Sequence, residues 1–204
     1  MTESRGSAVY EWDSSYEDDR APWDLGRPQP ALIGVADSGE ITSPVLDSGC
    51  GSGEHALMLA ERGHEVVGID IAPRAIERAQ EKAAQRGIGA TFLVGDVLAL
   101  DHLGRRFETV IDCGVFHVFD DPERVRYVRS VASILRPGGI LFLLCFSEHT
   151  AGDQGPRRVT QAEIRTAFED GWDVEEIWPA RIEVLGHWFP EMPHGWLARI
   201  LRTE

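Results

Sequence analysis

The segment that most constrains the fold of this chain is the loop Asp47–Gly53, whose sequence is DSGCGSG. It follows a short apolar stretch, Pro44–Asp47, that predicts a β-strand, and it precedes helix formers at Glu54–Arg62 that stop at Gly63. The three loop glycines tolerate the backbone angles of a tight turn, and they carry no β-carbons that would keep a ligand away from the backbone. The segment therefore predicts a strand, a tight ligand-binding loop and a helix.

The rest of the chain alternates between strand and helix patterns in the same way. Arg136–Gly139, with the sequence RPGG, predicts a sharp break before an apolar strand. This alternation is typical of an α/β fold with a doubly wound, mostly parallel sheet of seven strands and helices on both faces. Further strands are predicted at Glu65–Asp70, Ala90–Val94, Phe107–Cys113, Ile140–Phe146, Trp172–Trp178 and Trp196–Leu201. Further helices are predicted at Pro73–Arg86, at Asp121–Leu135 with Asp121 as the cap, and from a capping box at Thr160 and Glu163 to Phe168.

Charge and cysteine content exclude several classes of partner. The chain has 34 acidic and 20 basic residues, and its net charge of -14 repels a phosphate backbone, so nucleic acid is not expected as a partner. No apolar run approaches the roughly 20 residues that span a bilayer, and the first residues lack the apolar stretch of a secretory signal, so we expect no membrane association and a cytoplasmic location. The odd number and wide spacing of Cys50, Cys113 and Cys145 favour reduced thiols over a disulfide framework or a metal site.

The spacing of the loop glycines narrows the class of ligand. GxGxG differs from the GxGxxG of dinucleotide folds and lacks the GK[ST] ending of a triphosphate-binding loop, which disfavours phosphate. Asp70 ends the second strand, where a carboxylate can accept both hydroxyl protons of a ribose. Asp96 follows the third strand, where it can accept a hydrogen bond from an adenine amine. Taken singly, such acids can also be helix caps, and Asp70 alone would also fit a nicotinamide-dependent oxidoreductase.

Four motifs together resemble those of class I S-adenosylmethionine-dependent methyltransferases. They are VLDSGCGSGEHAL, the GID ending at Asp70, the GDV around Asp96, and the block Phe107–Cys145 with RPGG, and they cover about three quarters of the chain. The resemblance implies a Rossmann-like sheet with an antiparallel last strand and S-adenosylmethionine as cofactor. It also implies that Asp70 binds the ribose, Asp96 faces the adenine and the glycine loop lies beside the methionine. The core residues expected to bind the cofactor are Asp47, Gly49, Cys50, Gly51, Gly53, Asp70, Ile71, Asp96, Val97 and Cys113.

An aromatic N-terminal arm is similar to that of the thiol, thiopurine and halide methyltransferase group. It comprises Trp23–Pro30, with the sequence WDLGRPQP, and the upstream Trp12 and Tyr16. In that group the arm folds over the cofactor, and aromatic faces attract the sulfonium cation. Trp12, Tyr16 and Trp23 are therefore expected at the cofactor, although the same aromatics can simply pack the arm onto the sheet. We expect one domain over residues 1–204, with the arm at 1–40, the cofactor-binding core at 41–146, and a rim and acceptor-side strands at 147–204.

The methyl acceptor is the least defined part of the sequence. Asp112–His117, DCGVFH, lacks the tyrosine of several halide enzymes and resembles bacterial relatives that act on phenolic or quinoline-like molecules. The expected function is methyl transfer to a small-molecule thiol, phenol or heteroaromatic nitrogen, and the alternative is a catalytically silent cofactor-binding sensor or partner subunit. Alignment of the acceptor supplies most of the catalysis, and His117 is the candidate base, with structural packing as the other interpretation. Weaker acceptor-side candidates are His149, His187, His194, Arg157, Arg158 and a movable rim at 147–158.

Overall fold

The computed structural model describes residues 11–17, 21–186 and 189–204, and seven strands in this part of the chain form one sheet. The strands are β1 (Val45–Ser48), β2 (Val66–Asp70), β3 (Thr91–Val94), β4 (Phe107–Cys113), β5 (Leu135–Phe146), β6 (Trp172–Arg181) and β7 (His194–Arg202). Their order is β3-β2-β1-β4-β5-β7-β6. All pairs from β3 to β5 are parallel, whereas β7 runs antiparallel to both β5 and β6. The predicted doubly wound sheet with an antiparallel last strand is confirmed.

Helices cover both faces of this sheet. They are α1 (Pro30–Ser38), α2 (Glu54–Glu61), α3 (Pro73–Arg86), α4 (Asp121–Ile134) and α5 (Gln161–Ala167), with 3-10 turns at Val97–Leu103 and Phe116–Val118. Successive residues of β5 point to opposite faces, so Leu141 and Leu143 join one apolar cluster while Phe142 and Leu144 join the other. Within the described ranges, no helix has the length and apolar character needed to cross a membrane.

Strand order places the ligand-binding edge of the sheet. From β1 the chain proceeds outward through β2 to β3, and it then returns to place β4 and β5 on the other side of β1. In such sheets the crevice lies beyond the carboxyl ends of the strands at this reversal of order. The crevice therefore lies between the loop that follows β1 at Ser48 and the loop that follows β4 at Cys113.

Three local predictions were wrong in detail. The cap of α4 is Asp120 and not Asp121, because the Asp120 carboxylate accepts from the Glu123 N–H to form a capping box. The segment 136–139 is not a break before the strand, since it lies within β5 and bulges opposite the single residue Glu108. Helix α1 was not predicted, since its nine residues include Gly34 and its N-terminus has no capping side chain.

Candidate functional site

The glycine loop adopts a conformation that only glycine adopts without strain. Gly49, Gly51 and Gly53 have φ angles of 70, 52 and 87 degrees, in the left-handed region. A β-carbon on Gly53 would also stand 2.8 Å from the Ala79 β-carbon and 2.9 Å from the Phe92 ring. Close packing and backbone angle thus both require glycine where the loop enters α2.

The Asp70 carboxylate faces this loop from the end of β2. Its Oδ2 accepts from the Gly51 N–H at 2.8 Å, and its Oδ1 accepts from the Ala72 N–H at 2.9 Å. Burial raises the pKa of Asp70, while the hydrogen bonds from backbone N–H groups oppose that rise. Each oxygen has a second lone pair, so the carboxylate can also accept hydrogen bonds from a ligand.

Asp96 lies beside Asp70 at the next strand end. The Gly95 N–H donates to the Asp70 carbonyl at 2.8 Å, which places the two acids on adjacent strands. The Asp96 Oδ1 accepts from the Leu98 N–H at 2.8 Å and so caps the 3-10 turn that starts at the buried Val97. Asp96 is therefore a helix cap in this arrangement, and its side chain is partly exposed.

Asp47 is fully buried below the loop and has an unused acceptor. Its Oδ2 accepts from the Ala56 N–H at 3.1 Å, whereas Oδ1 has no hydrogen-bond partner among the described residues. Burial, together with the charges of Asp70 and Asp112, raises the pKa of Asp47 to about 8. A buried acceptor without a donor is costly, and a cationic or N–H donor from a ligand would satisfy it.

The two cysteines expected at the cofactor are inert thiols. Cys50 is buried in the loop, and Cys113 is partly buried at the end of β4. Burial raises the pKa of both thiols well above the usual range, and nearby aspartates raise it further. Both side chains therefore pack in the apolar cluster on one face of the sheet, and neither is an activated nucleophile.

The arm aromatics lie over the glycine loop. Tyr16 is buried, and its hydroxyl accepts from the indole N–H of Trp23 at 2.9 Å. The same hydroxyl lies 2.9 Å from the position that a β-carbon on Gly51 would occupy. Trp12 packs edge-on against Trp23, with ring centroids 5.2 Å apart. The structure thus brings together the three arm residues that the sequence singled out.

The arm is attached to the start of α3 through contacts that sequence reasoning missed. The Asp13 carboxylate accepts from the Arg74 N–H at 2.8 Å, and it also pairs with the Arg74 guanidinium. Arg74 additionally pairs with Glu17 at 2.6 Å, and Arg78 donates to the Tyr16 carbonyl. Since α3 has no capping side chain of its own, Asp13 supplies the missing cap from 61 residues away.

A second attachment connects the arm to the glycine loop itself. The Ser52 hydroxyl donates to the Asp24 carboxylate at 2.6 Å. The Lys82 ammonium donates to the same hydroxyl at 2.6 Å and pairs with Glu54 at 2.8 Å. Asp24 belongs to the WDLGRPQP motif, and this motif is the one feature of the sequence that indicated a functional role for the residue.

The loop after β4 packs against the other side of the glycine loop. The Asp112 carboxylate accepts from the N–H groups of Val115 at 2.8 Å and Phe116 at 3.1 Å. Burial raises the pKa of Asp112 to about 6. The Val115 side chain lies over Gly49, and its Cγ2 is 2.1 Å from the place of a β-carbon there. Only glycine permits this approach.

His117 is a packed residue whose lone pair is in use. Its Nδ1 accepts from the Phe146 N–H at 2.9 Å, and its ring centroid lies 4.8 Å from that of Phe146. Burial, together with the charges of Arg124 and Arg158, lowers the pKa of His117 to about 3. An imidazole in this state is neutral at physiological pH and has no free lone pair for a substrate proton. The geometry favours the structural interpretation.

Arg158 organises the rim beyond β5. Its guanidinium lies 5.6 Å from the ring centroids of both Phe146 and Phe189, which pack edge-on with centroids 5.3 Å apart. It also donates to the carbonyls of residues 150, 152, 154 and 156. Arg157 instead pairs with Asp121 and Glu163 on the surface. Aromatic rings with one guanidinium beside them thus pack at the end of β5.

The other rim histidines are peripheral. His149 is exposed and lies 6.4 Å from His194 and 5.5 Å from Trp196, measured between ring centroids. His187, also named on sequence grounds, lies outside the described residues.

Comparisons with known proteins show which family this chain resembles. The family described as "Methyltransferase domain" matches residues 45–139. A 2-heptyl-1-hydroxyquinolin-4(1H)-one methyltransferase from Mycobacteroides abscessus is 37% identical over 175 residues, which cover 84% of this chain and 77% of that relative. Probable thiol methyltransferase 2 of Arabidopsis thaliana is 28% identical over 74% of this chain and 68% of its own length. A solved structure described as "Conversion of a Disulfide Bond into a Thioacetal Group during Echinomycin Biosynthesis" is 34% identical, with a TM-score of 0.84 over 96% of this chain and 89% of that one.

Proposed function

This chain belongs to the class I S-adenosylmethionine-dependent methyltransferases, and we propose that it methylates a flat, apolar small molecule whose nucleophile needs no base from the protein. Candidate nucleophiles are a thiolate, an acidic hydroxyl that has already ionised, and a heteroaromatic nitrogen. The observation that carries this proposal is the state of His117, whose lone pair accepts from the Phe146 N–H and whose pKa is about 3. The named relatives act on a hydroxyquinolinone and on thiols, which supports the same acceptor class.

The residues of the crevice fit S-adenosylmethionine. We propose that Asp70 binds the ribose, that Asp96 faces the adenine and that the unpaired Oδ1 of Asp47 meets the cationic methionine end. Tyr16 and Trp23 then cover the cofactor and exclude water. When bound, the cofactor supplies a methyl group from its sulfonium sulfur, and the sulfur keeps the electron pair of the C–S bond that breaks. The task of the protein is to align the acceptor, which can lower a barrier by about 7 to 11 kcal/mol.

The acceptor side supports an aromatic substrate with anionic character. The partly buried Phe189 ring packs edge-on against the buried Phe146, and the Arg158 guanidinium lies beside both rings. A partial negative charge on the acceptor is favoured next to this guanidinium. Acceptor alignment thus rests on aromatic packing with one charge contact at its edge.

A panel of acceptors tests this proposal. Thiophenol, 4-nitrothiophenol, 1-hydroxyquinolin-4-one and quinoline are offered with S-adenosylmethionine, with benzyl alcohol as the acceptor that requires a base. We expect S-adenosylhomocysteine to form with the first four and the thiol rates to follow the ionisation of each thiol across pH. Benzyl alcohol turning over as fast as thiophenol would contradict the proposal, because a base would then be present.

Three further expectations remain part of the proposal. The net charge of -14 supports a small molecule over nucleic acid as the acceptor, and a filter-binding titration with tRNA checks this.

The three free cysteines support a reducing, cytoplasmic location, which fractionation checks. The single-domain organisation, with an arm at 1–40, a core at 41–146 and acceptor-side strands at 147–204, predicts one cooperative unfolding transition.

A further inference from the structure

Gln29, the penultimate residue of the arm motif, makes an unusual pair of contacts with a distant loop. Its side chain is buried, and its Nε2 donates to the Glu183 carbonyl at 2.8 Å. The Glu183 N–H in turn donates to the Gln29 Oε1 at 2.9 Å. The side-chain amide thus pairs with the backbone of Glu183 as a neighbouring strand would, across 154 residues of sequence.

The backbone of Gln29 is attached to the cofactor side instead. Its N–H donates to Nε2 of His55 at 3.0 Å, and His55 is the second residue of α2, directly after the glycine loop. Burial lowers the pKa of His55 to about 4, so the ring is neutral at physiological pH and Nε2 can accept. One residue therefore connects two sides of the site, its main chain to the glycine loop and its side chain to Glu183.

Residues 182–186, which we name the roof loop, make further contacts with the arm. The Leu185 N–H donates to the Pro22 carbonyl at 2.7 Å, and Arg27 pairs with Glu183 at 2.5 Å. A few residues later the chain reaches Phe189, which packs against Phe146 beside His117. The roof loop thus leads from the arm to the aromatic side of the crevice.

We infer that Gln29 is a positioning residue that makes the order of the roof loop depend on the cofactor-bound arm. The inference rests on the proposed function, because it takes the crevice at Phe146 as the acceptor side. Asp13 and Asp24 hold the arm over the glycine loop, and a cofactor beneath the arm stabilises it further. The Gln29 amide extends this stabilisation to the backbone of Glu183, so the acceptor side is better ordered when the cofactor is bound.

The test is hydrogen–deuterium exchange of the full chain with and without saturating S-adenosylhomocysteine. In the wild type we expect the ligand to slow exchange over the glycine loop and over the roof loop. In Gln29→Ala we expect the glycine loop to keep this protection and the roof loop to lose most of it. The affinity for S-adenosylhomocysteine should stay within about threefold, because the backbone bond to His55 is retained. Gln85→Ala, on the exposed face of α3, is the matched control.

Two variants and a comparison of the KM values for the two substrates distinguish the possible results. Gln29→Met keeps a similar side-chain volume but has neither donor nor acceptor, so we expect it to lose the roof-loop protection even if the alanine variant does not fold. In Gln29→Ala the KM for an accepted thiol should rise roughly five- to thirtyfold while the KM for S-adenosylmethionine changes little. Equal ligand-induced protection of the roof loop in wild type and variants would overturn the inference. Failure of the wild type to bind S-adenosylhomocysteine would instead overturn the proposed function.

Discussion

The main-chain N–H of Phe146 donates to Nδ1 of His117 at 2.9 Å, and this bond determines what the imidazole can do. Because Nδ1 accepts, the single proton of the neutral ring is assigned to Nε2, which lies toward Gly114. The ring therefore completes the backbone hydrogen bonding at the end of β5 and supports the aromatic side of the crevice. It is not arranged to remove a proton from an acceptor.

The first prediction concerns activity at this position. His117→Asn should keep methyl transfer within about fivefold, because its side-chain oxygen can accept the same Phe146 N–H. His117→Ala should lower the free energy of unfolding by about 1 to 3 kcal/mol, since a buried donor then has no partner. Initial rates and urea denaturation measure these effects. A loss of more than a hundredfold in kcat for the asparagine variant, at unchanged stability, would show that His117 acts as the general base.

A second prediction follows from the pKa of His117, which burial lowers from 6.5 to about 3. A histidine whose pKa is lowered by folding makes the folded state less stable in acid, because the unfolded chain binds the proton at a higher pH than the folded chain does. Stability from His117 is therefore complete above pH 6.5 and is lost as pH falls toward 3. Between pH 7.5 and 5, wild type should lose about 2 kcal/mol relative to His117→Asn. Exposed His102→Gln should show no such change relative to wild type.

Asp70 is the subject of the third prediction. Asp70→Ala should weaken S-adenosylhomocysteine binding from several fold to about a hundredfold, as expected for lost hydrogen bonds to a charged group. Part of this effect comes from the Gly51 N–H, which loses its acceptor. Calorimetry measures the affinity, and Asp101→Ala, at an exposed position, serves as the control. An unchanged affinity would place the ribose elsewhere.

A fourth prediction compares two glycines with nearly the same backbone angle. Gly53 and Gly63 have φ of 87 and 91 degrees, so alanine at either costs about 1 to 2 kcal/mol of strain. The space beside Gly63 is open, whereas a β-carbon on Gly53 meets Ala79 and Phe92. Gly53→Ala should therefore cost roughly 1 to 3 kcal/mol more in urea denaturation. Equal costs would show that the loop and α3 move apart easily.

The fifth prediction addresses the contact between Asp24 and Ser52 at 2.6 Å. Asp24→Ala and Ser52→Ala should each weaken S-adenosylhomocysteine binding roughly three- to tenfold, because either change removes this attachment of the arm to the glycine loop. The double variant should be scarcely weaker than the single ones, since both remove the same contact. Asp37→Asn, at an ion pair remote from the loop, should bind normally. Fully additive losses in the double variant would contradict the arm attachment.

Local patterns predicted what local structure determines. Strand, turn and helix signals around Asp47–Gly53 placed the loop, and the positions of Asp70 and Asp96 at strand ends brought them to the same edge. Burial of His117 was also visible in its apolar neighbours, whereas the partner of its Nδ1 was not, because Phe146 is 29 residues away. Sequence spacing contains no information on which distant backbone group a side chain will meet.

The contacts that attach the arm show the same limit more clearly. Asp13 and Gln29 bind partners 61 and 154 residues away, and neither has a local signature. The motif around Trp23 indicated that the arm matters, while its contacts depend on how α3 and the roof loop are placed by the sheet. Which residues position the arm thus depends on the tertiary structure, even though the residues expected to bind the cofactor can be predicted from the sequence.

The place of β7 in the sheet has a consequence for protein synthesis. The last strand of the chain lies between β5 and β6, so the sheet cannot be completed until residues 194–202 have left the ribosome. Until then the edge of β5 is unpaired and β6 has no neighbour, and such edges promote association between nascent chains. Ribosome-bound chains that end before residue 194 should therefore depend most on chaperones, although the glycine loop is already made.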